Sequence, residues 1–209
     1  MPLLQKYSNP LRGIWLMSES SDELLSMLDN VIDYQPFLHT IKTEHRRKEW
    51  LASRVLLKEL LGQEVRVEYY PDGAPFLPDI PLHISISHTN NYAAVLLQES
   101  PAAGIDIEYK SDRVRKIRSR FMNPEEEINI DTAHETNHLL IYWCAKETLF
   151  KMIGQDNVDF CQHLHIKPFP YSESGVFTVQ ETRTQERTSF QLGYLVTPDF
   201  ILTWSLPAQ

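Results

Sequence analysis

The segment GIDIEYK, residues 104–110, most constrains the fold, because it places two carboxylates inside an otherwise apolar run. Successive side chains on a strand point to opposite faces, so Asp106 and Glu108 share one face while Ile105 and Ile107 share the other. Two adjacent anions repel each other, and burying them without partners is costly. The strand is therefore expected to lie where a cation can sit between its two carboxylates.

The helix-like segment WCAKETLFK, which begins at Trp143, supplies groups of the complementary kind. Glu147 and Lys151 are four residues apart and share a helix face, and Trp143 precedes them on that face. Taken alone, such a pair is usually a surface Glu–Lys contact that stabilises a helix by about 0.2–0.5 kcal/mol. Combined with Asp106 and Glu108, Glu147 completes three oxygen donors of the kind Mg²⁺ prefers, whereas Zn²⁺ favours His or Cys.

Hydrophobic periodicity predicts a helix followed by strands in both halves of the chain. We expect long helices over roughly Thr40–Leu61 and Thr132–Ile153, with Gly62 and Gly154 as their stops. The runs LHISISH and YAAVLLQ alternate around TNN, which is typical of a hairpin, and the runs GVFTVQ, SFQLGYLV and FILTWSL close the chain. The pattern predicts an α+β fold and hints at two similar lobes.

Charge and composition disfavour several classes of function. The 209 residues carry a net charge of −8, which argues against general nucleic-acid or membrane-surface binding. There is no apolar run as long as a membrane span and no signal-peptide core, and two cysteines, Cys144 and Cys161, suggest a reducing compartment. We therefore expect a cytoplasmic protein.

One segment departs from the acidic balance. KSDRVRKIRSR, residues 110–120, holds six basic residues against one acid. It is either a solvated helix face or a docking stripe for an acidic partner. The basic residues are Lys110, Arg113, Arg115, Lys116, Arg118 and Arg120.

The pair GIDIE and WCAKETLFK resembles the signature of the 4′-phosphopantetheinyl transferases, and of their larger, two-lobed type in particular. Upstream, RRKEWLASRVLLKELL is similar to the family's arginine-containing helix, and ISISHT to its Ser-His strand. DGAPFL resembles the family's Gly-Lys-Pro turn, and FMNPEE its Phe-x-x-x-Glu motif. The likeness runs from about residue 40 to residue 154.

The resemblance implies two similar lobes in a pseudo-twofold arrangement, each a small antiparallel sheet packed with a long helix. Residues 1–103 would form the coenzyme A nucleotide side, and residues 104–209 the Mg²⁺ and carrier-protein side. The implied reaction moves the 4′-phosphopantetheine arm of coenzyme A to a serine of an apo acyl or peptidyl carrier protein and releases 3′,5′-ADP. Fatty-acid synthesis or another assembly line would supply the carrier, the basic segment would steer it, and the enzyme would be a monomer.

The resemblance also assigns roles around the metal. Three carboxylates would bind Mg²⁺, to which the pyrophosphate would also bind: Asp106, Glu108 and Glu147. Lys151 would neutralise the phosphate under attack, with Lys146 as a helper. Glu125 or Glu147 could activate the serine, because either needs only to lie within hydrogen-bond reach of the attacking oxygen.

On the nucleotide side, His88 together with Ser87 would face the phosphates of coenzyme A. Arg47 and Arg54, seven residues apart on one helix, could hold the 3′-phosphate, because a guanidinium suits phosphate well. Arg46 is adjacent to Arg47, so which of the two aligns stays open.

The predicted turn under the adenine contains Gly73 and Pro75. Between them, Ala74 stands where the family usually has a lysine that contacts the phosphates of coenzyme A. This departure leaves the affinity for coenzyme A, and the arginine that compensates, undecided.

Three alternatives remain. One is a homologue that binds coenzyme A or a carrier protein without transferring anything. Another is a zinc hydrolase, because His134, Glu135 and His138 form an H-E-x-x-H pattern, although no third ligand is convincing. The third is another Mg²⁺-dependent phosphoryl-group transferase or a nuclease, although a nuclease would be expected to carry a basic groove, which the net charge of −8 disfavours.

Overall fold

The chain divides into two units, Met1–Glu99 and Ser100–Gln209, in a computed structural model that describes residues 3–29 and 31–207. Residues 1, 2, 30, 208 and 209, which the two predicted lobes include, lie outside the described residues. Among the described helices, none is both long enough and apolar enough to cross a bilayer.

The first unit combines a four-stranded sheet with one long helix. Its strands are β1 (Leu3–Ser8), β2 (Leu11–Leu16), β3 (Glu68–Tyr69), β4 (Pro75–Phe76), β5 (His83–Thr89) and β6 (Tyr92–Gln98). Its helices are α1 (Ser21–Ser26), α2 (Gln35–Leu38) and α3 (Glu44–Leu61). The main sheet has the antiparallel order β1-β2-β6-β5, and β3 pairs with β4 apart from it.

The second unit repeats this combination with a larger sheet. Its strands are β7 (Ile105–Tyr109), β8 (Leu164–Ile166), β9 (Ser174–Glu181), β10 (Ser189–Val196) and β11 (Phe200–Ser205). Its helices are α4 (Arg113–Ile117), α5 (Pro124–Ile128) and α6 (Glu135–Ile153), with 3₁₀ turns at Arg118–Arg120 and Thr132–His134. The sheet order is β7-β11-β10-β9-β8, with every neighbouring pair antiparallel.

Each long helix covers a sheet and ends where the sequence predicts. α3 packs on β2 and β6, and α6 packs on β7 and β11. The caps that end them, Gly62 and Gly154, have φ angles of 74° and 54°, a left-handed conformation that glycine adopts without a Cβ penalty. Thr43 accepts a hydrogen bond from the Arg46 amide, so α3 begins a few residues later than predicted.

The α+β class, the β5–β6 hairpin and the closing strands are confirmed, but β1 and β2 were not predicted. Gly13 interrupts the alternating pattern of β2. A Cβ there would lie 2.8 Å from the side chain of Leu56, so the close approach of α3 favours glycine in the strand. That requirement comes from tertiary packing, which the local pattern does not reveal.

Candidate active site

Strand β7 begins in direct contact with helix α6. A Cβ on Gly104 would lie 2.7 Å from the backbone oxygen of Thr148 and 2.5 Å from the side chain of Met152. The Gly104 amide donates to Ser205 Oγ at 3.0 Å, and Asp106 lies opposite Thr203 on β11. This close approach places the two carboxylates of β7 against one face of α6.

Residue spacing predicted a helix face with Trp143, Glu147 and Lys151, and contacts of Trp143 and Lys151 direct this face of α6 towards those carboxylates. Lys151 Nζ donates to Asp106 Oδ1 at 2.8 Å and to the Ile105 backbone oxygen at 3.0 Å. Trp143 Nε1 donates to Glu108 Oε1 at 2.7 Å. The structure therefore brings Asp106, Glu108 and Lys151 together, with Trp143 as an additional partner. Asp106 is 5% exposed, so this cluster lies at the edge of the core.

Electrostatics place Glu147 in the same cluster. Burial raises the pKa of Glu147 to about 7, and the charge of Asp106 adds to the rise. The pKa of Glu108 also rises to about 7, again through burial first and Asp106 second. Lys151 opposes both shifts but does not cancel them. Lys151 and, at Glu108, Arg113 thus supply less positive charge than the two glutamates need to stay fully ionised near neutral pH.

The donor set fits a hard divalent cation in its chemistry. Carboxylate oxygens are the ligands Mg²⁺ prefers, and the mutual repulsion of Asp106, Glu108 and Glu147 is what such an ion relieves. Within residues 3–29 and 31–207, no three acidic, His or Cys side chains form a ready-made metal site. Lys151 holds one oxygen of Asp106 and Trp143 holds one of Glu108, so side-chain rearrangement would accompany ion binding.

The position of Lys146 corrects the expectation that it assists at this cluster. Its side chain is fully buried, and Nζ donates to Glu126 Oε2 at 2.6 Å. The same nitrogen donates to the backbone oxygens of Phe121 at 2.5 Å and Phe160 at 3.0 Å. All three ammonium donors are thereby used, so Lys146 ties α6 to the segment before α5 and to the Phe160 loop.

Glu125 and Glu126 have different environments despite being adjacent. Glu125 is exposed in the first turn of α5, where its carboxylate can meet a partner from solution. Glu126 is 2% exposed, accepts from Lys146 and from the Ile166 amide, and completes a capping box with Asn123. Sequence reasoning missed Glu126, although its spacing of three residues from Asn123 is the signature of such a box.

The H-E-x-x-H residues are engaged in other contacts. Glu135 accepts from Arg118 at 2.9 Å and lies 3.3 Å from Arg115. His138 is 1% exposed, and its Nδ1 accepts from the backbone amide of Asp131 at 3.0 Å. His134 lies 3.2 Å from the Asp131 carboxylate. With Glu135 held by two arginines and His138 Nδ1 bonded to backbone, the geometry gives no support to a zinc hydrolase.

The first unit contains a cavity of about 400 Å³ beside α3 and the β3–β4 turn. Its polar lining consists of Arg46, Glu49, Ser53, Arg54, Tyr69 and His88. Gly73 and Pro75 also line it, and Gly73 has a φ of 88°, so the turn conformation itself favours glycine. Ala74 is exposed and does not belong to the lining.

Arg54 is the most unusual group in this cavity. Its side chain is buried, with the guanidinium 3.8 Å from the centre of the Trp50 ring. Its nitrogens donate to Tyr69 Oη at 2.7 Å and Ser53 Oγ at 2.8 Å. Burial lowers the pKa of Arg54, and no carboxylate in the described part of the chain pairs with it. A buried cation that lines a cavity without an anionic partner favours an anionic ligand.

Two residues predicted for the nucleotide side do not line this cavity. Ser87 is not in the cavity lining, because neighbours on β5 point to opposite faces and His88 faces α3. Arg47 Nε donates to the Ile41 backbone oxygen at 3.0 Å, and Arg46 lines the cavity in its place. The adjacent arginine is thus the one that accompanies Arg54.

The basic segment is less free than its composition suggests. Arg118 pairs with Glu127 and Glu135, and Arg115 also pairs with Glu135. Three cations of the segment are exposed and have no ion-pair partner in the described residues: Arg113, Lys116 and Arg120. Any docking stripe therefore depends mainly on these three side chains.

Residues 102–205 match the sequence profile of the 4′-phosphopantetheinyl transferase superfamily. The chain belongs to this superfamily. The matched range contains the whole carboxylate cluster, from Asp106 to Lys151. It does not include the residues that line the cavity of the first unit.

Individual relatives agree with the profile. The 4′-phosphopantetheinyl transferase AcpT of Escherichia coli (strain K12) is 31% identical over 115 residues, 52% of this chain and 59% of that protein. The 4′-phosphopantetheinyl transferase HetI of Nostoc sp. is 29% identical over 127 residues, 53% of each protein. A putative 4′-phosphopantetheinyl transferase of Haemophilus influenzae is 32% identical over 101 residues, 46% of this chain and 42% of that protein. The chain spans about half the length of the curated relatives it matches.

Proposed function

We propose that this protein transfers the 4′-phosphopantetheine arm of coenzyme A to a serine of an apo acyl or peptidyl carrier protein, with Mg²⁺ and with release of 3′,5′-ADP. The observation that carries the proposal is the cluster of Asp106, Glu108 and Glu147 with Lys151, inside the segment that matches the superfamily. Its excess negative charge suits a cation that brings a pyrophosphate with it.

The three carboxylates would hold Mg²⁺, which when bound neutralises charge on the pyrophosphate. Lys151 reaches the cluster from α6 and is the protein's own cation at the phosphate under attack. The serine oxygen forms a bond to the phosphorus of the pantetheine phosphate, and the phosphorus–oxygen bond to 3′,5′-ADP breaks. Lys151 would stabilise the negative charge that develops on the departing phosphate.

The serine proton must pass to a base on the protein or to water. Glu147 has a pKa of about 7, suited to accepting a proton near neutral pH, but it would also be a metal ligand. Glu125 is exposed on α5 and could meet the serine of an incoming carrier. Both candidates are retained, and comparing the pH–rate profiles of Glu125→Gln and Glu147→Gln separates them.

The cavity in the first unit is the proposed binding site for the nucleotide of coenzyme A. Arg54 and Arg46 would pair with its phosphates, and His88 would assist them. Gly73 and Pro75 would form the turn against the adenine. Because Ala74 carries no charge, the buried Arg54 is the group we propose to compensate for the lysine usual in the family.

Charge also suggests how the second substrate would be met. We propose that Arg113, Lys116 and Arg120 steer an acidic carrier protein towards the second unit. Reversing these three charges should raise KM for the carrier and leave KM for coenzyme A unchanged. A monomeric state and a cytoplasmic location stay predictions, and light scattering during size-exclusion chromatography tests the first.

Intact mass spectrometry tests the reaction. The full chain is incubated with Mg²⁺, coenzyme A and a panel of apo carrier proteins, and each carrier is weighed. We expect one carrier to gain one phosphopantetheine arm, and the gain to disappear with EDTA or with Glu147→Gln. Glu186→Gln, which changes an exposed glutamate in the loop after β9, is the matched control and should retain the activity.

The alternative is a homologue that binds coenzyme A without transferring its arm. Binding of coenzyme A by calorimetry, with no mass gain on any carrier, would favour that alternative. The intact cluster of Asp106, Glu108, Glu147 and Lys151 argues against it, because binding alone does not require a buried aspartate and two half-buried glutamates beside one lysine.

A further inference from the structure

Glu49 is a buried carboxylate in the wall of a cavity that otherwise gathers basic side chains. It lies on α3, is 6% exposed, and contributes to the lining of the 400 Å³ cavity together with Arg46, Arg54 and His88. A negative charge at this place repels any anion that enters. Its presence therefore needs a physical reason other than charge complementarity to the ligand.

The contacts of Glu49 supply that reason. Its Oε1 lies 3.1 Å from His88 Nδ1 and 3.1 Å from His45 Nε2, and its Oε2 accepts from Arg46 at 3.0 Å. Arg46 and His45 come from the preceding turn of α3, whereas His88 comes from β5. One carboxylate thus joins two basic groups of the cavity wall that belong to different secondary-structure elements.

We propose that Glu49 is a positioning residue that orients Arg46 and His88 towards a phosphate group of the nucleotide. The inference rests on the proposed function of the cavity. Arg46 is 66% exposed and lies on a long flexible stem, so without Glu49 its guanidinium would sample many rotamers. The contact at Nδ1 fixes the plane of the His88 ring in the same way. Fixing both groups in advance reduces the entropy lost when the phosphate binds.

The direction in which Glu49→Gln changes the affinity for an anion distinguishes a positioning role from a purely electrostatic one. Glu49→Gln removes a negative charge from the cavity wall, so a purely electrostatic role predicts tighter binding of an anion. A positioning role predicts weaker binding, because a glutamine amide cannot accept from His88, His45 and Arg46 as the carboxylate does. Glu49→Asp keeps the charge but shortens the side chain by one methylene, so positioning predicts weaker binding here too, whereas charge alone predicts no change.

Calorimetric titration of the full chain with 3′,5′-ADP tests the proposal without requiring transfer. We expect Glu49→Gln and Glu49→Asp each to weaken binding by about tenfold, the scale of one lost charge-assisted contact. Glu59→Gln, an exposed change on the same helix, should bind like the original protein. A thermal unfolding transition shows whether each variant is folded. If Glu49→Gln does not fold, the binding of 3′,5′-ADP by Glu49→Asp decides the test.

In the transfer assay, the same variants should raise KM for coenzyme A and leave kcat at saturating coenzyme A unchanged. Tighter or unchanged binding of 3′,5′-ADP by the folded variants would overturn the inference, as would a failure of the original protein to bind 3′,5′-ADP. If that protein binds 3′,5′-ADP but modifies no carrier, the proposed transfer fails while the role of Glu49 is still decided by the titration.

Discussion

Replacing Lys146 by Met should destabilise the second unit severely while leaving the chemistry of the carboxylate cluster intact. The substitution removes the buried partner of Glu126 and the donor to two backbone oxygens, those of Phe121 and Phe160. Breaking a buried ion pair by removing one member costs about 3–5 kcal/mol, because the other charge stays buried and uncompensated. For a unit of this size, that corresponds to a fall in Tm of roughly 10 °C or more.

Guanidinium-induced unfolding followed by circular dichroism measures the loss. The double variant Lys146→Met, Glu126→Gln removes the uncompensated charge and should recover part of the stability. Lys167→Met, an exposed change, should stay within about 0.5 kcal/mol of the original protein. A loss below about 1 kcal/mol for Lys146→Met would refute the structural role. So would a variant of unchanged stability that has lost transfer, because Lys146 would then act in the reaction.

Three further predictions concern the carboxylate cluster. The pKa values of Glu108 and Glu147 are raised to about 7, so between pH 4.5 and 7 the folded state binds more protons than the unfolded state. Without divalent cations, the free energy of unfolding should therefore fall as the pH rises through this range. Mg²⁺ should reverse the fall, and denaturant titrations at a series of pH values measure both effects. Gly104→Ala should lower the free energy of unfolding, measured by thermal denaturation, by about 1–3 kcal/mol. The added methyl group would collide with the backbone oxygen of Thr148, which cannot move aside as the Met152 side chain can. The same variant should bind Mn²⁺ more weakly, as measured by electron paramagnetic resonance. Trp143→Phe keeps an aromatic ring beside Phe121 but removes the donor that orients Glu108. The KM for Mg²⁺ should therefore rise, by less than in Glu108→Gln, which removes the charged ligand itself, and an unchanged KM would contradict that role.

Local periodicity predicted the relations within a single element. Alternation on β7 placed Asp106 and Glu108 on one face, and four-residue spacing on α6 placed Trp143, Glu147 and Lys151 on another. The structure brings these two faces together through the contacts of Lys151 and Trp143. The relations within β7 and within α6 depend on geometry that repeats along one strand or one helix, so the sequence alone was sufficient to predict them.

Residue spacing was insufficient to predict the contacts of long side chains that can reach several partners. Lys146 and Lys151 are both lysines of α6, yet one is fully buried against Glu126 and the other reaches Asp106. Arg46 and Arg47 are adjacent, yet only Arg46 lines the cavity, because Arg47 is bonded to the Ile41 oxygen. A long flexible stem lets the head group reach several places, and only the surrounding packing selects one of them.

The sequence by itself determined the α+β class, the C-terminal ends of the long helices and the charged residues that share a face of β7 or of α6, because alternation, helical spacing and glycine caps are local. The tertiary structure decided which groups are buried together: Glu126 with Lys146, Arg54 without a carboxylate partner among the described residues, and Glu49 among three basic side chains. Burial depends on contacts between residues far apart in the chain. The cost of burying a charge, which makes these groups informative, therefore becomes visible only in the folded molecule.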